Sequence, residues 1–272
     1  MSFYTSVSGA RGAQAEIATI SNNLANAQTT GFKKSRVEFG DLFSSTPAQI
    51  FRQVPGQGVR VMGVMQQFSQ GTLSTTDKAL DLGIAGEGFF VVKSAPPTDE
   101  TSYTRAGAFS VDANRFVIDT TGSRLQLMPV DAQGNVTSTT TFDFVMPTVS
   151  ANNPNAALTS VTIGLDGLAK CNFSDGSTQD LGKVALASFP SQEGLRPMGD
   201  AHWQPTDFSG PPTVAAASTG ALGEIRAGTL ERANVEVTEE MVALIAAQRN
   251  FQANAKALDA ESTMSQTIIN IR

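Results

Sequence analysis

The sequence predicts an α+β fold in which N- and C-terminal α-helices pack as a coiled-coil-like base and a discontinuous, mainly-β region fills the middle. Three observations predict it. Both ends carry apolar residues at alternating spacings of four and three. The middle breaks into short alternating segments punctuated by glycine, asparagine and proline. The two ends, though far apart in the chain, share one helical period and are therefore expected to meet.

At the N-terminus, Phe3, Val7, Ala10, Gln14, Ile17, Ser21 and Leu24 mark one stripe of a helix of about seven turns. Gln14 and Ser21 interrupt the stripe, while Ala13, Ala18 and Ile20 add apolar area beside it. The pattern dissolves over Asn26-Ala27-Gln28-Thr29-Thr30-Gly31, where Gly31 is suited to the left-handed conformation that ends helices. At the C-terminus, Val237, Met241, Leu244, Gln248, Phe251, Ala255, Leu258, Ser262, Ser265 and Ile269 repeat the alternation. Thr238 is the expected N-cap, Glu239 and Glu240 complement the first turn, and Arg272 complements the last. A helix from Thr238 to Arg272 would run roughly 50 Å, more than a small domain needs, so part of its stripe must be covered by the first helix or by other subunits. Glutamine and serine on the seams favour close, hydrogen-bonded packing over a purely apolar core.

Between the ends, residues 80–85 alternate and turn through Gly86-Glu87-Gly88 into a strand at Phe89–Lys93. Residues 103–111 and 115–119 are expected to form a hairpin about Asp112-Ala113-Asn114, with further strands over 125–130 and 136–145. Strands at 160–165, 168–173 and 184–189 form a second group, separated by Asp-Gly turns at 166–167 and 175–176. The run 190–217 reads as loop. The expected organisation is a helical domain from 1–30 and 234–272, an extended linker and β segment over 31–79, and a β domain over 80–233. Asn152-Asn153-Pro154-Asn155 marks a possible subdivision near residue 150.

Composition limits the chemistry. Nineteen basic against 25 acidic residues, with no basic cluster longer than Lys33-Lys34, argue against a nucleic-acid partner. Cys171 is the sole cysteine, so neither an internal disulfide nor a multi-thiolate zinc site is available, and its reading is a small buried hydrophobe. His202, the sole histidine, lies in a loop-like context with no second histidine for a metal or a relay, and is expected to have a surface or packing role. Gly56-Gln57-Gly58 and Gly86-Glu87-Gly88 lack the third glycine of a dinucleotide site, and no phosphate-binding loop motif occurs. The Asp166 and Asp175 turns do not continue as a calcium loop. No cofactor, metal or catalytic residue is expected. Asp81, Asp112, Asp119, Asp143, Asp166 and Asp180 supply carboxylates for a glycosidase-like pair, but their spacing selects none. The first residues lack the basic and apolar regions of a cleaved signal peptide, and no run approaches a membrane span.

Four blocks carry a family resemblance. Ser21-Asn22-Asn23-Leu24-Ala25-Asn26-Ala27-Gln28-Thr29-Thr30-Gly31-Phe32-Lys33 closely resembles the signature of the flagellar rod and hook family of axial proteins. Residues 80–90 resemble its second block, Tyr103-Thr104-Arg105-Ala106-Gly107-Ala108-Phe109 its third, and Gly228–Val235 with Gln248-Arg249-Asn250-Phe251-Gln252-Ala253-Asn254 its C-terminal signature. Residues between about 147 and 212 match loosely. The resemblance implies a helical homopolymer in which paired terminal helices line a channel. It also implies export by the flagellar type III apparatus without signal cleavage, a location in the flagellum outside the cytoplasmic membrane, and contacts with distal rod, hook cap and hook-filament junction proteins. Self-assembly would rest on Phe3, Val7, Ile17, Leu24, Met241, Leu244, Phe251, Leu258 and Ile269. The signature residues are Asn22, Asn23, Asn26, Gly31, Phe32, Gln248, Arg249 and Asn254. Within the family, the opening nine residues and Arg36-Val37-Glu38-Phe39-Gly40-Asp41-Leu42-Phe43 look hook-like, whereas the chain length is nearer that of distal rod members, whose longer segment after the Asp-Leu block is only partly matched by Ser44–Gly58. Two other classes remain open from the residues alone: a carbohydrate-acting enzyme using two aspartates, and a monomeric adhesin-like module with ordered ends.

Overall fold

The computed structural model describes residues 2–42, 56–131, 133–150 and 153–270. Helices at both ends flank a mainly-β middle, as the sequence predicts. The chain forms two compact units: Met1–Ala27, Lys34–Gln67 and Val235–Arg272 make the first, and Gln28–Lys33 with Phe68–Asn234 the second. The expected 31–79 segment is thus divided between them.

In the first unit, α1 (Ser2–Ala25) packs on α2 (Val237–Asn270), and both belong with the hairpin of β1 (Ser35–Asp41) and β2 (Val59–Gln66). The helices run antiparallel: Gly9 lies against Asn254, while Asn23 hydrogen-bonds Glu240. A Cβ on Gly9 would sit 2.6 Å from Asn254 Oδ1, so the missing side chain leaves room for the Asn254 amide to pack against α1. This close approach corrects the expected stripe. Ala13, Ile20 and Asn23 are buried in α1, and Glu240 and Ala247 in α2, whereas Gln14, Ser21, Met241 and Gln248 are exposed. Each buried set lies about one residue before the expected seam, a rotation of roughly 100°. The buried set mixes the small Ala13 and Ala247 with Ile20 and the polar Asn23 and Glu240, while Met241 turns outward. α2 begins at Val237, so Thr238 lies inside the first turn rather than capping it; Glu239 and Glu240 occupy that turn as expected. Arg272, Phe43, Ser44 to Pro55, Ala132 and Asn152 lie outside the described residues.

The second unit is built from β3 (Leu73–Thr75), β4 (Leu82–Ala85), β5 (Phe89–Lys93), β6 (Thr101–Thr104), β7 (Ser110–Val111) and β8 (Val117–Ile118). It continues through β9 (Arg124–Met128), β10 (Phe142–Asp143), β11 (Leu158–Ile163), β12 (Leu168–Phe173) and β13 (Thr178–Ser188). A short 3-10 turn, Gln192–Gly194, precedes β14 (Arg196–Gly199), β15 (His202–Gln204), β16 (Thr213–Ala216), β17 (Glu224–Ala227) and β18 (Thr229–Glu231). The main sheet has the order β11-β12-β13-β9-β5-β6-β15-β14, while β17 pairs with β4 and β18 with β3. Because β13 pairs with β9 and β5 as well as with β12, the sheet is continuous across residue 150. The run 190–217, expected as loop, holds β14, β15 and β16; its strands are too short to show alternation and are fixed by pairing with β6 and β13.

Strand alternation sends neighbours to opposite faces, and here both faces are covered. Phe90 and Val92 of β5 join Leu125, Leu127, Val184 and Leu186 in one cluster. Phe89 and Val91 join Tyr103, Ala185, Ala187 and Trp203 in another, where the Phe89 ring stands edge-on to Phe68, Phe189 and Trp203 at 5.5–5.7 Å.

Candidate functional site

Two features stand out, one in each unit. The first is the outer surface of the helical pair. Phe3 is 49% exposed, Met241 51%, Phe251 40% and Ile269 70%, while Val7, Ile17, Leu24, Leu244 and Leu258 are half-buried. Tyr4, Val242, Ile245, Met264 and Ile268 add exposed apolar area that the sequence reading did not single out. They were missed because they fall off the seam that the four-and-three spacing traces. Apolar side chains left in water forgo about 1.5–3 kcal/mol each relative to burial.

Asn23 shows what one signature residue does. Its side-chain oxygen accepts the Ser35 N–H at 2.9 Å, and its amide donates to Ser35 O at 2.8 Å and Glu240 Oε2 at 3.1 Å. One buried amide thereby joins α1, β1 and α2, leaving little of its bonding capacity unused. Asn26 and Asn254 instead donate to carbonyls one turn back, those of Asn22 and Asn250. Asn22, Gln248 and Arg249 face solvent and Phe32 is half-buried.

The second feature is a buried ion cluster in the β unit, which sequence reasoning missed. Lys33 Nζ lies 2.7 Å from Glu231 Oε1, and Arg105 Nη1 lies 3.3 Å from Glu231 Oε2. All three side chains are almost wholly inaccessible. Lys33 also donates to Ser69 O, Gly71 N–H donates to Glu231 Oε1, and Arg105 donates to Gly86 O while stacking over the Phe89 ring at 5.2 Å. Burial pushes the Lys33 ammonium down from its ordinary value, and the nearby Arg105 charge acts in the same direction against the pull of Glu231. Gly31, at φ +71°, brings its N–H to the Glu231 carbonyl at 2.8 Å; an added Cβ would meet Ala106 N at 2.5 Å. The signal was present, since Lys33, Arg105 and Glu231 sit inside three of the four signature blocks. Linear spacing gave no reason to join them.

His202 belongs to β15, correcting its expected loop context, and it is buried, the packing alternative of the two roles expected for it. Its Nδ1 lies 3.1 Å from Ser102 Oγ and its Nε2 3.0 Å from Asp119 Oδ2. Burial pushes the Asp119 carboxyl up, but hydrogen bonds from His202, Thr121 and Ser123 outweigh it and hold the group below its ordinary value. Among the other aspartates, Asp143 pairs with Arg124, Asp166 with Lys183 and Asp180 with Lys170, and Asp112 accepts the Phe116 N–H. Each of these carboxylates serves a turn or an ion pair. Cys171 is buried, which pushes its thiol up to about 11. Among the described residues no group of three His, Cys, Asp or Glu could hold a metal ion, and no helix is long and apolar enough to cross a membrane.

Three family models cover the two ends and part of the β unit. Residues 3–33 match the flagella basal body rod protein model, 83–170 the flagellar hook protein FlgE/F/G D1 domain, and 226–271 the flagellar basal body rod FlgEFG protein C-terminal model. The flagellar basal-body rod protein FlgG of Bacillus subtilis is 31% identical over 100% of this chain and 98% of its own length. The chain belongs to the flagellar rod and hook family. FlgG of Caulobacter vibrioides is 33% identical over 98% of each chain. The flagellar hook protein FlgE of Salmonella typhimurium is 24% identical, covering all of both chains. Helicobacter pylori hook protein FlgE2 superposes with a TM-score of only 0.26 at 15% identity, over 65% of this chain and 44% of that one.

Proposed function

We propose that this rod-and-hook family member is a non-enzymatic subunit that polymerises through its terminal helices into a hook segment, a tubular flexible joint passing torque from rod to filament. The observation that carries the assembly reading is the surface of the helical pair: its buried residues are mostly small or polar, with Ile20 the large apolar exception, while Phe3, Met241, Val242, Ile245, Phe251, Met264, Ile268 and Ile269 stay exposed. A monomer would place them the other way round. On this reading the exposed or half-buried residues Phe3, Val7, Ile17, Leu24, Met241, Leu244, Phe251, Leu258 and Ile269 hold the tube together. The chain leaves the cell by the flagellar type III apparatus and meets the distal rod, hook cap and hook-filament junction proteins.

The hook position rests on the opening residues and the block from Arg36 to Phe43. A second reading, a rigid distal rod subunit, is favoured by a different observation. Rod relatives align at 31–33% identity over 280–293 positions, whereas the hook relative requires 412. Electron microscopy of a strain lacking the gene separates them: a complete rod without a hook supports the first, and a missing distal rod overturns it in favour of the second. Removal of residues 241–272 should leave a soluble β-rich monomer; normal polymerisation of that truncation would refute the assembly reading.

A further inference from the structure

Glu240 is a buried carboxylate without a cation. It is 8% exposed, in the first turn of α2, and among the described residues its side chain has one hydrogen bond, from the neutral Asn23 amide at 3.1 Å. The positive end of the helix dipole supplies about half a charge there, less than a full counter-ion. The carboxylate lines a cavity of about 320 Å³ within the helical unit. Glu16, half-buried, lines the same cavity and has neither hydrogen bond nor ion pair among the described residues. Lys34 and Arg36 line it as well, but Glu240 pairs with neither. A carboxylate accepts at about four lone-pair sites, so most of the bonding capacity of Glu240 is unused. A charge desolvated in that way is costly until a cation reaches it.

The opposite face of the same helix carries a cation. Arg249 is exposed and has neither hydrogen bond nor ion pair among the described residues. It follows Glu240 by nine residues, which places the two side chains roughly 180° apart around α2 and roughly 13 Å apart along it. They cannot meet within one chain. Ile245 and Val242 stand one and two turns before Arg249 on its face, 50% and 64% exposed. Covering that apolar stripe strips water from the guanidinium, whose planar fork then needs a carboxylate. One side of α2 thus holds a recess lacking a cation, and the other an apolar stripe ending in an unpaired cation. A second copy of the chain supplies both complements. Because the two surfaces differ, the contact is heterologous, and its repetition builds a row of copies rather than a two-fold pair.

Resting on the assembly reading above, we infer that Arg249 of one copy enters the Glu240 cavity of the next and pairs with its carboxylate. In the full-length chain, Arg249→Gln should keep the monomer's melting temperature and raise the concentration needed for assembly at least about 30-fold. Glu240→Gln retains an acceptor for Asn23 and should impair assembly similarly, and the double variant should be no worse than either single one. Thr19 lines the cavity and offers a second probe that leaves Glu240 in place. Tubes mixed from Thr19→Cys and Arg249→Cys chains should give a product of twice the chain mass with a short bis-maleimide, whereas tubes of either chain alone should not; Cys171 is buried and does not compete. Effects that multiply in the double variant, or mixed tubes without the cross-link, would overturn the pairing and leave the assembly reading standing. A lowered melting temperature for Arg249→Gln would show the guanidinium covered within its own chain and would overturn it too. Failure of the wild-type chain to form tubes would remove the assembly reading first, and this pairing with it.

Discussion

The two units solve the burial problem in opposite ways. The β unit encloses its largest apolar side chains, with Leu82, Phe89, Phe90, Val92, Leu125 and Leu186 fully buried, and it neutralises part of an internal charge cluster with tight hydrogen bonds. The helical unit encloses Ala13, Ala247, Asn23 and Glu240, and leaves Met241, Val242, Ile245 and Phe251 at 40–64% exposure. The first closes two large apolar clusters within one chain. The second buries few large apolar side chains and leaves many around α2 in water, so its apolar surface is covered only by something outside the chain. Stability and assembly are therefore expected to respond to different residues.

The largest effect should come from the ion cluster. Glu231→Ala leaves two buried cations without their carboxylate and is expected to cost about 3–5 kcal/mol, read from denaturant unfolding followed by the emission of Trp203, the sole tryptophan and a buried member of the β unit. Phe90→Ala, in the apolar cluster, should cost a similar 3–5 kcal/mol by the same probe. If helical circular dichroism falls in the same transition, the units unfold together and their stabilities are coupled. Gly31→Ala should cost about 1–3 kcal/mol through its positive φ, and more if Ala106 must also shift.

Acid should weaken the β unit. The carboxyls of Asp119, Asp143 and Asp166 are all held below the ordinary value of 3.8. The folded chain then binds protons less readily than the unfolded one, so this stability is complete above that value and is lost as pH falls through the lower folded values. Asp119→Asn should flatten the acid limb of the stability profile. An unchanged limb would remove Asp119 from the account. The smallest effect on the monomer, and the sharpest test, is Ile245→Ser: within about 0.5 kcal/mol in unfolding, because the side chain is half in water already, but defective in tube formation. A large loss of monomer stability would mean that Ile245 is covered within the chain.

Much was legible in the residues. The helices at both ends, the turn at Gly31 and the strands at 89–93 and 168–173 follow from period, turn chemistry and β-branched or aromatic content, all of which act over a few residues. The rotation of the helical pair was not legible. Periodicity marks where apolar side chains lie on a cylinder but not which face meets the partner, and here the buried face carries Ala13 and Ala247, with Gly9 making room for the Asn254 amide. The strands of 190–217 escaped for a related reason, since pairs as short as His202 and Trp203 with Thr104 and Tyr103 exist through their partners.

The sequence alone thus determined the α+β plan, the shared period of the ends and, through dense signature blocks, the family. Tertiary structure decided that Lys33, Arg105 and Glu231 form one buried cluster, that His202 sits between Ser102 and Asp119, and which face of each helix is buried. The physical reason is range: propensity and spacing are properties of neighbours in the chain, whereas desolvation, charge pairing and close packing depend on which distant residues the fold brings within a few ångströms.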